Sequence, residues 1–281
     1  ARDLSHVIDR DASIAIITSP KPGQAASAEA LTLMRHSAAH VMAEAIQDVV
    51  GKEVLLAYGP PTDTGFFYDM FVPEGKKISS DHFEAINRRM AEIIKEDRPF
   101  IRYELPIPTG FDKLKAEGSK YKLDNAQRAV EAGAKSLSWY ATGRLPTAID
   151  TSVQLPTVPF PEAQQIAAEA RRALWPWEDL CRGPHVPSTS RIGAACVLSL
   201  ASSYWHGDEN SDRLIRVYGT AFPTQADLDQ YLRQREEASK RDHRVIGKAL
   251  RLFHIDETVG QGLILWTPKG AIVRKELQAF I

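Results

Sequence analysis

Between residues 28 and 50 the apolar side chains Leu31, Met34, Ala38, Val41, Ala45 and Val49 recur every three or four positions. That is the period of one helix face, and it predicts a long amphipathic helix. Residues 80–97 repeat the pattern with Phe83, Ile86, Met90 and Ile94; Ser80 or Asp81 can cap this second helix, and Arg98-Pro99 ends it. Residues 55–69 suggest two strands around a turn at Gly59-Pro60-Pro61-Thr62-Asp63, the second strand carrying Phe66-Phe67-Tyr68. Shorter strands are expected at 101–105, 137–140, 196–200 and 214–217. A strongly charged helix is expected at 224–250, opened by the capping pattern Thr224-Gln225-Ala226-Asp227. Helices and strands mixed in this way predict an α+β fold.

Two stretches interrupt the pattern. Pro146, Pro156, Pro159, Pro161 and Pro176 make residues 145–176 rich in proline, with a helical run at 162–174, and they read as a surface insertion. Ser19-Pro20-Lys21-Pro22-Gly23 is turn chemistry and reads as a linker. Before it, Leu4, Val7, Ile8 and the run Ile14-Ala15-Ile16-Ile17 look like the last strands of a small β domain. At the other end Ile281 lies inside a helical-looking run, 272–281, with neither cap nor tail. The expectation is a fragment of a longer protein.

Composition narrows the classes. With 281 residues, 43% hydrophobic and 25% charged, the chain is that of a globular protein with a sizeable core. Lys+Arg 35 against Asp+Glu 36 gives a net charge of -1, which excludes holding nucleic acid by bulk basicity. A local patch built from Arg88, Arg89, Lys120, Lys122 and Arg182 remains a candidate. Two cysteines, Cys181 and Cys196, suit a reducing cytosol better than a disulfide scaffold. No apolar stretch reaches the roughly 20 residues of a membrane helix, and no secretion-type segment opens the chain. A cytoplasmic protein with no membrane partner is expected.

The chemistry-bearing residues fall in two places. His36-Ser37-Ala38-Ala39-His40 sets two imidazoles four residues apart, on one face of the first helix. Cys181-Arg182-Gly183-Pro184-His185 sets a thiol and an imidazole either side of a Gly-Pro turn that can bend them toward one point. His36, His40, Cys181 and His185 are together the donor types, in the number, that tetrahedral zinc prefers. Each part also has a plain reading: a polar helix face, a small buried thiol and a turn histidine.

These two motifs, with Tyr58-Gly59-Pro60, Gly65-Phe66-Phe67-Tyr68-Asp69, Asp179-Leu180, Tyr204-Trp205-His206-Gly207-Asp208, Tyr218-Gly219-Thr220-Ala221-Phe222 and Arg241-Asp242-His243-Arg244, resemble bacterial threonyl-tRNA synthetases. They occur in that family's order over almost the whole chain. The resemblance implies that residues 1–25 end a ubiquitin-like β-grasp domain. Residues 26–225, with the insertion at 145–176, would form the editing domain shared with alanyl-tRNA synthetases. Residues 226–281 would be a linker helix and the start of a class II catalytic domain. The insertion departs from the family, where the stretches either side of it are nearly adjacent.

The resemblance further implies hydrolysis of mischarged seryl-tRNA(Thr). A missing methyl gives only about 1–3 kcal/mol of discrimination, too little to exclude serine from a threonine pocket. His36, His40, Lys122, Asp179, Cys181 and His185 would then be catalytic, with Tyr68 and Arg182 binding substrate. His36 is the first choice to activate water, because a neutral imidazole accepts a proton near neutral pH. Lys122 would steady the oxyanion or ribose, and Asp179 the substrate's α-amino group. Cys181 admits three roles: nucleophile, metal ligand or hydrogen-bond partner. No cofactor would be required for editing, with zinc at the four-residue site as an alternative, whereas ATP, magnesium and a further zinc belong to the synthetase's catalytic domain. The implied partners are tRNA(Thr) and, for the full-length enzyme, a second subunit in a homodimer. Two rival readings are a free-standing aminoacyl-tRNA deacylase and an inactive tRNA-binding module.

Overall fold

The computed structural model describes residues 8–18, 20, 24–143, 177–256, 258–260 and 262–280. The chain divides into two units, Ala1–Gln225 and Ala226–Ile281. The helix predicted at 162–174 lies outside the described residues. Residues 8–18 form no strand, and Ile14 and Ile16 are exposed there.

The first unit is organised on α1 (Ala28–Val50), whose N-cap Ser27 accepts a hydrogen bond from the Ala30 amide at 3.2 Å. The middle of its predicted stripe, Met34, Ala38, Val41 and Ala45, is buried, but so are Arg35, Ser37, His40 and Glu44, so the helix is enclosed on more than one face. Against it lies a four-stranded antiparallel sheet in the order β1 (Leu55–Tyr58), β2 (Phe66–Phe71), β7 (Arg213–Phe222), β6 (Ala194–Tyr204). Alternation along β2 sends Phe66, Tyr68 and Met70 into the main core with Met42, Ile46 and Val217. Leu55, Ala57, Phe71 and Leu214 form a separate cluster with Tyr121.

α2 (Phe83–Lys95) packs on α1 and β6 through Ile86, Met90 and Ile93. Its entry differs from the expectation: Ser80–His82 is a 3₁₀ turn, and it is Ser79, not Ser80 or Asp81, that precedes it and donates its amide to His82 Nδ1 at 3.2 Å. A second sheet, β3 (Phe100–Pro106), β4 (Ser136–Thr142) and β5 (Trp177–Leu180), is antiparallel, with Tyr140 paired to Asp179. Its side is covered by α3 (Ile107–Ala116) and α4 (Lys120–Glu131), two helices that the pattern reading omitted. Leu114, Ala126, Leu137 and Trp139 make the core between them.

The second unit holds α5 (Gln225–Lys240), α6 (His243–Ala249), the hairpin β8 (Phe253–Ile255) and β9 (Ile264–Trp266), and α7 (Pro268–Phe280). The single helix expected at 224–250 is therefore two. The Asp242 carboxylate accepts the Arg244 amide at 2.8 Å and caps α6, and that local bond competes with helix continuation. α7 starts earlier than the run 272–281, and Ile272, Leu277 and Phe280 are exposed on it.

Candidate functional site

The two histidines of α1 and the Cys-Arg-Gly-Pro-His segment after β5 meet. Cys181 Sγ lies 3.3 Å from His36 Nε2 and 3.4 Å from His185 Nε2. The His185 ring is 4.3 Å from both the His36 and His40 rings, centroid to centroid. It also stacks on Phe100 at 4.9 Å. The Gly183–Pro184 peptide is cis, and the Gly183 amide donates to Cys181 Sγ at 3.2 Å.

Neighbouring polar groups fix the rings. His36 Nδ1 faces the Pro184 carbonyl at 3.2 Å, so this nitrogen carries the proton and Nε2 offers its lone pair to the sulfur. Ser37 donates to the Leu33 carbonyl at 2.9 Å. Its oxygen then accepts the Val186 amide at 3.0 Å and stands 3.1 Å from His185 Nδ1, which makes that nitrogen the donor. Two imidazole lone pairs thus converge on one thiol. Ser37 was missed in the sequence, although it sits inside the His-Ser-Ala-Ala-His motif.

His40 is sealed. Its Nε2 is 3.9 Å from Asp179 Oδ2, and its Nδ1 is buried with no hydrogen-bond partner among the described residues. Burial, and then the neighbouring imidazoles, push the His185 pKa well below the usual histidine value; burial, His36 and Lys122 do the same to His40. Both are therefore neutral at physiological pH. His36 is half-buried and is the histidine of the three that solvent reaches most.

Beside the tetrad lies a buried polar trio. Lys122 Nζ from α4 meets Asp179 Oδ1 at 2.7 Å and Oδ2 at 2.9 Å, and donates to Tyr68 OH at 2.9 Å. The Tyr68 hydroxyl in turn donates to Asp179 Oδ2. Burial, followed by the Asp179 charge, raises the Tyr68 pKa well above the usual phenol value, so it stays a donor. The trio draws on β2, α4 and β5, joining the two sheets at one point. Arg182 is exposed on the segment between Cys181 and His185.

The basic patch is a correction. Lys122 is buried in the trio, Arg89 is shared among Asp48, Glu92 and Glu96, and Lys120 is paired with Asp212. Carboxylates claim these cations, so three of the five offer no free positive surface. A buried ion pair also went unread: Glu44, one turn beyond His40, lies against Arg98 and accepts from Thr142 Oγ1 at 3.1 Å. Continuing the four-residue step from His36 and His40 would have found Glu44.

The donor set fits a zinc ion. Bonds of about 2.0–2.3 Å in a tetrahedron imply ligand–ligand edges of about 3.3–3.8 Å. The two sulfur–nitrogen separations fall in that range, and one donor atom from each of His36, His40, Cys181 and His185 lies within 4.8 Å of the others. The bonds made by His36 Nδ1 and His185 Nδ1 are of the kind that orient metal-bound imidazoles.

Residues 175–218, which include Asp179, Cys181 and His185, match the family model described as the threonyl and alanyl tRNA synthetase second additional domain. Over 276 residues the chain is 38% identical to a threonine–tRNA ligase of Acidobacterium capsulatum, covering 98% of this chain and 34% of that protein. A threonine–tRNA ligase of Acidithiobacillus ferrooxidans is 38% identical over 279 residues, 99% of this chain and 37% of its own length. That of Aquifex aeolicus is 38% identical over 265 residues, 93% of this chain and 36% of its own length. Fold, site and matched domain define a segment of an aminoacyl-tRNA synthetase. The chain belongs to the threonyl-tRNA synthetase family and spans about a third of the length of the curated relatives it matches. No helix of the described residues is long and apolar enough to cross a membrane.

Proposed function

We propose that this chain carries the proofreading site of a threonine–tRNA ligase and hydrolyses seryl-tRNA(Thr). The observation that carries the reading is the adjacency of the imidazole–thiol tetrad to the Lys122–Asp179–Tyr68 trio: bases at one side, charge-stabilising donors at the other. His36, the most accessible of the three imidazoles, takes the proton of the attacking water. Lys122 and Tyr68 supply donors where negative charge or the ribose hydroxyl would sit, and their burial lets them act strongly. Asp179, while holding Lys122, offers its carboxylate to the substrate's ammonium group, and exposed Arg182 meets the acceptor end. Zinc held by His36, His40, Cys181 and His185 would supply Lewis-acid polarisation in place of His36 as the base, not alongside it.

The whole protein would be an ATP-dependent threonine–tRNA ligase acting in the cytosol as a homodimer. Its aminoacylation machinery would lie outside this stretch. The test is deacylation of seryl-tRNA(Thr) and threonyl-tRNA(Thr) by this chain and by His36→Ala. The seryl ester is expected to be lost preferentially, and the variant to be slower by about 10²-fold or more. Equal loss of both esters, or an unaffected variant, overturns the reading.

The convergence of two Nε2 lone pairs on Cys181 favours a second reading. The thiol passes its proton to an imidazole, its sulfur attacks the ester carbonyl, the ribose hydroxyl leaves with that proton, and water then cleaves the thioester. Radiolabelled serine retained on acid-quenched protein, and lost in Cys181→Ala, would select this route.

A further inference from the structure

Lys122 is one residue of a helix whose neighbouring positions are held by a different part of the fold. The end of the β6–β7 hairpin, Trp205 to Asp212, grips the start of α4. The Trp205 ring meets Tyr121 edge to face at 5.0 Å. Asp212 Oδ2 accepts the Tyr121 hydroxyl at 3.0 Å and also pairs with Lys120. His206 Nε2 lies 2.6 Å from Asp124 Oδ2. From β1, at the edge of the same sheet, the Ala57 carbonyl accepts Asn125 Nδ2 at 2.9 Å. Positions 120, 121, 124 and 125 are thus tied to the four-stranded sheet, while Lys122 between them reaches Asp179 on the three-stranded one.

The hairpin end is itself braced. The Trp205 amide donates to the Asp212 carbonyl at 3.0 Å, and Ser211 Oγ donates to the Trp205 carbonyl at 2.7 Å. His206 has φ 57° and ψ 13°, a left-handed conformation that few residues other than glycine adopt, although asparagine, aspartate and histidine do so more often than the rest. The turn therefore holds a histidine where glycine would sit more easily, and that histidine reaches α4.

We propose that this hairpin end sets the position of the Lys122 ammonium, with Trp205, His206 and Asp212 acting as positioning residues through α4. The inference rests on the ester-hydrolysis reading for its consequence, but not for its geometry. Trp205→Ala, Trp205→Phe and His206→Gly, each with and without Lys122→Ala, test it in single-turnover deacylation of seryl-tRNA(Thr) with protein in excess. Trp205→Ala and His206→Gly are expected to lower the rate constant about tenfold with little change in KM, and Trp205→Phe to stay near the starting rate. In the Lys122→Ala background the same changes should cost less than about twofold, because their effect runs through the missing side chain. The Tm of His206→Gly should change little, since the ease with which glycine adopts φ 57° offsets the lost contact with Asp124.

Equal losses in both backgrounds, or no loss in either, overturn the proposal. The Lys122 ε-methylene NMR resonance, assigned by its disappearance in Lys122→Ala, gives a readout that needs no activity. If the unaltered chain leaves seryl-tRNA intact, the hydrolytic reading fails. The positioning proposal is then decided by whether His206→Gly shifts that resonance, as expected, or leaves it in place.

Discussion

Arg98 Nη1 lies 2.9 Å from Glu44 Oε1, with the side chains only 4% and 1% exposed. The charges meet at ion-pair distance without the alignment of a hydrogen bond, since Nη1 has no hydrogen-bond partner among the described residues. Burial outweighs the guanidinium and holds the Glu44 carboxyl above the usual range. Breaking a buried pair from one side strands the other charge, at about 3–5 kcal/mol. Arg98→Leu should destabilise the chain toward the lower end of that range, because Glu44 can escape by taking a proton. Glu44→Leu with Arg98→Leu should cost much less than the single change. Urea unfolding of the three proteins measures this; a double variant no better than Arg98→Leu contradicts it.

Two buried neutral histidines make stability depend on pH. In the unfolded chain His40 and His185 titrate near 6.5, whereas folding holds both well lower. Between those values the unfolded state binds more protons, so acid favours unfolding. The stabilisation is complete above about pH 6.5 and is lost as pH falls below it, by about 1.4 kcal/mol per pH unit for each histidine that titrates. Unfolding free energies from about pH 7.5 down to pH 5 should therefore slope downward, and His185→Asn should flatten part of the slope. A slope unchanged in that variant would place the titration elsewhere.

The helix face that carries His36 and His40 was legible because a 3.6-residue period survives in the sequence whatever packs on it. The extent of α1 follows from the same stripe. Nothing local announced that this helix is enclosed on more than one face, which is a tertiary fact. α3 is hidden for a local reason instead: Pro108 sits in its first turn, where it is tolerated, yet by composition Pro106-Ile107-Pro108 resembles a loop. Lys120 looked free because its carboxylate, Asp212, is distant along the chain; Arg89 also meets the distant Asp48, but its partner Glu92, three residues on along the same helix, was there to be read. His206 gave no local sign of its left-handed backbone, and Trp205 none of its contact with Tyr121.

Gly183 makes a close approach that a side chain would block. Its φ is 66°, and a Cβ there would collide with the Tyr140 hydroxyl. Gly183→Ala should move the segment that carries Cys181 and His185, slow seryl-tRNA hydrolysis by tenfold or more, roughly, and cost about 1–3 kcal/mol. Gly75, also at positive φ (80°) but with nothing near its missing Cβ, is the control. Gly75→Ala should lose about 1 kcal/mol from the backbone alone and keep its hydrolysis rate. Similar kinetic losses in both variants would mean that the Gly183 effect is general destabilisation.

Zinc separates the two uses to which the tetrad can be put. As a base, His36 needs the Nε2 lone pair that now points at Cys181 Sγ, and a bound ion would occupy that same lone pair. Chelation should therefore leave seryl-tRNA hydrolysis intact. Added Zn²⁺ should inhibit it, with release of the thiol proton on binding. Cys181→Ser should weaken both binding and inhibition, because oxygen replaces the soft thiolate ligand. Isothermal titration with Zn²⁺, alongside deacylation with and without chelator, measures both effects. Hydrolysis that stops on chelation and returns with zinc would make the ion part of the working site and remove His36 from the role of base.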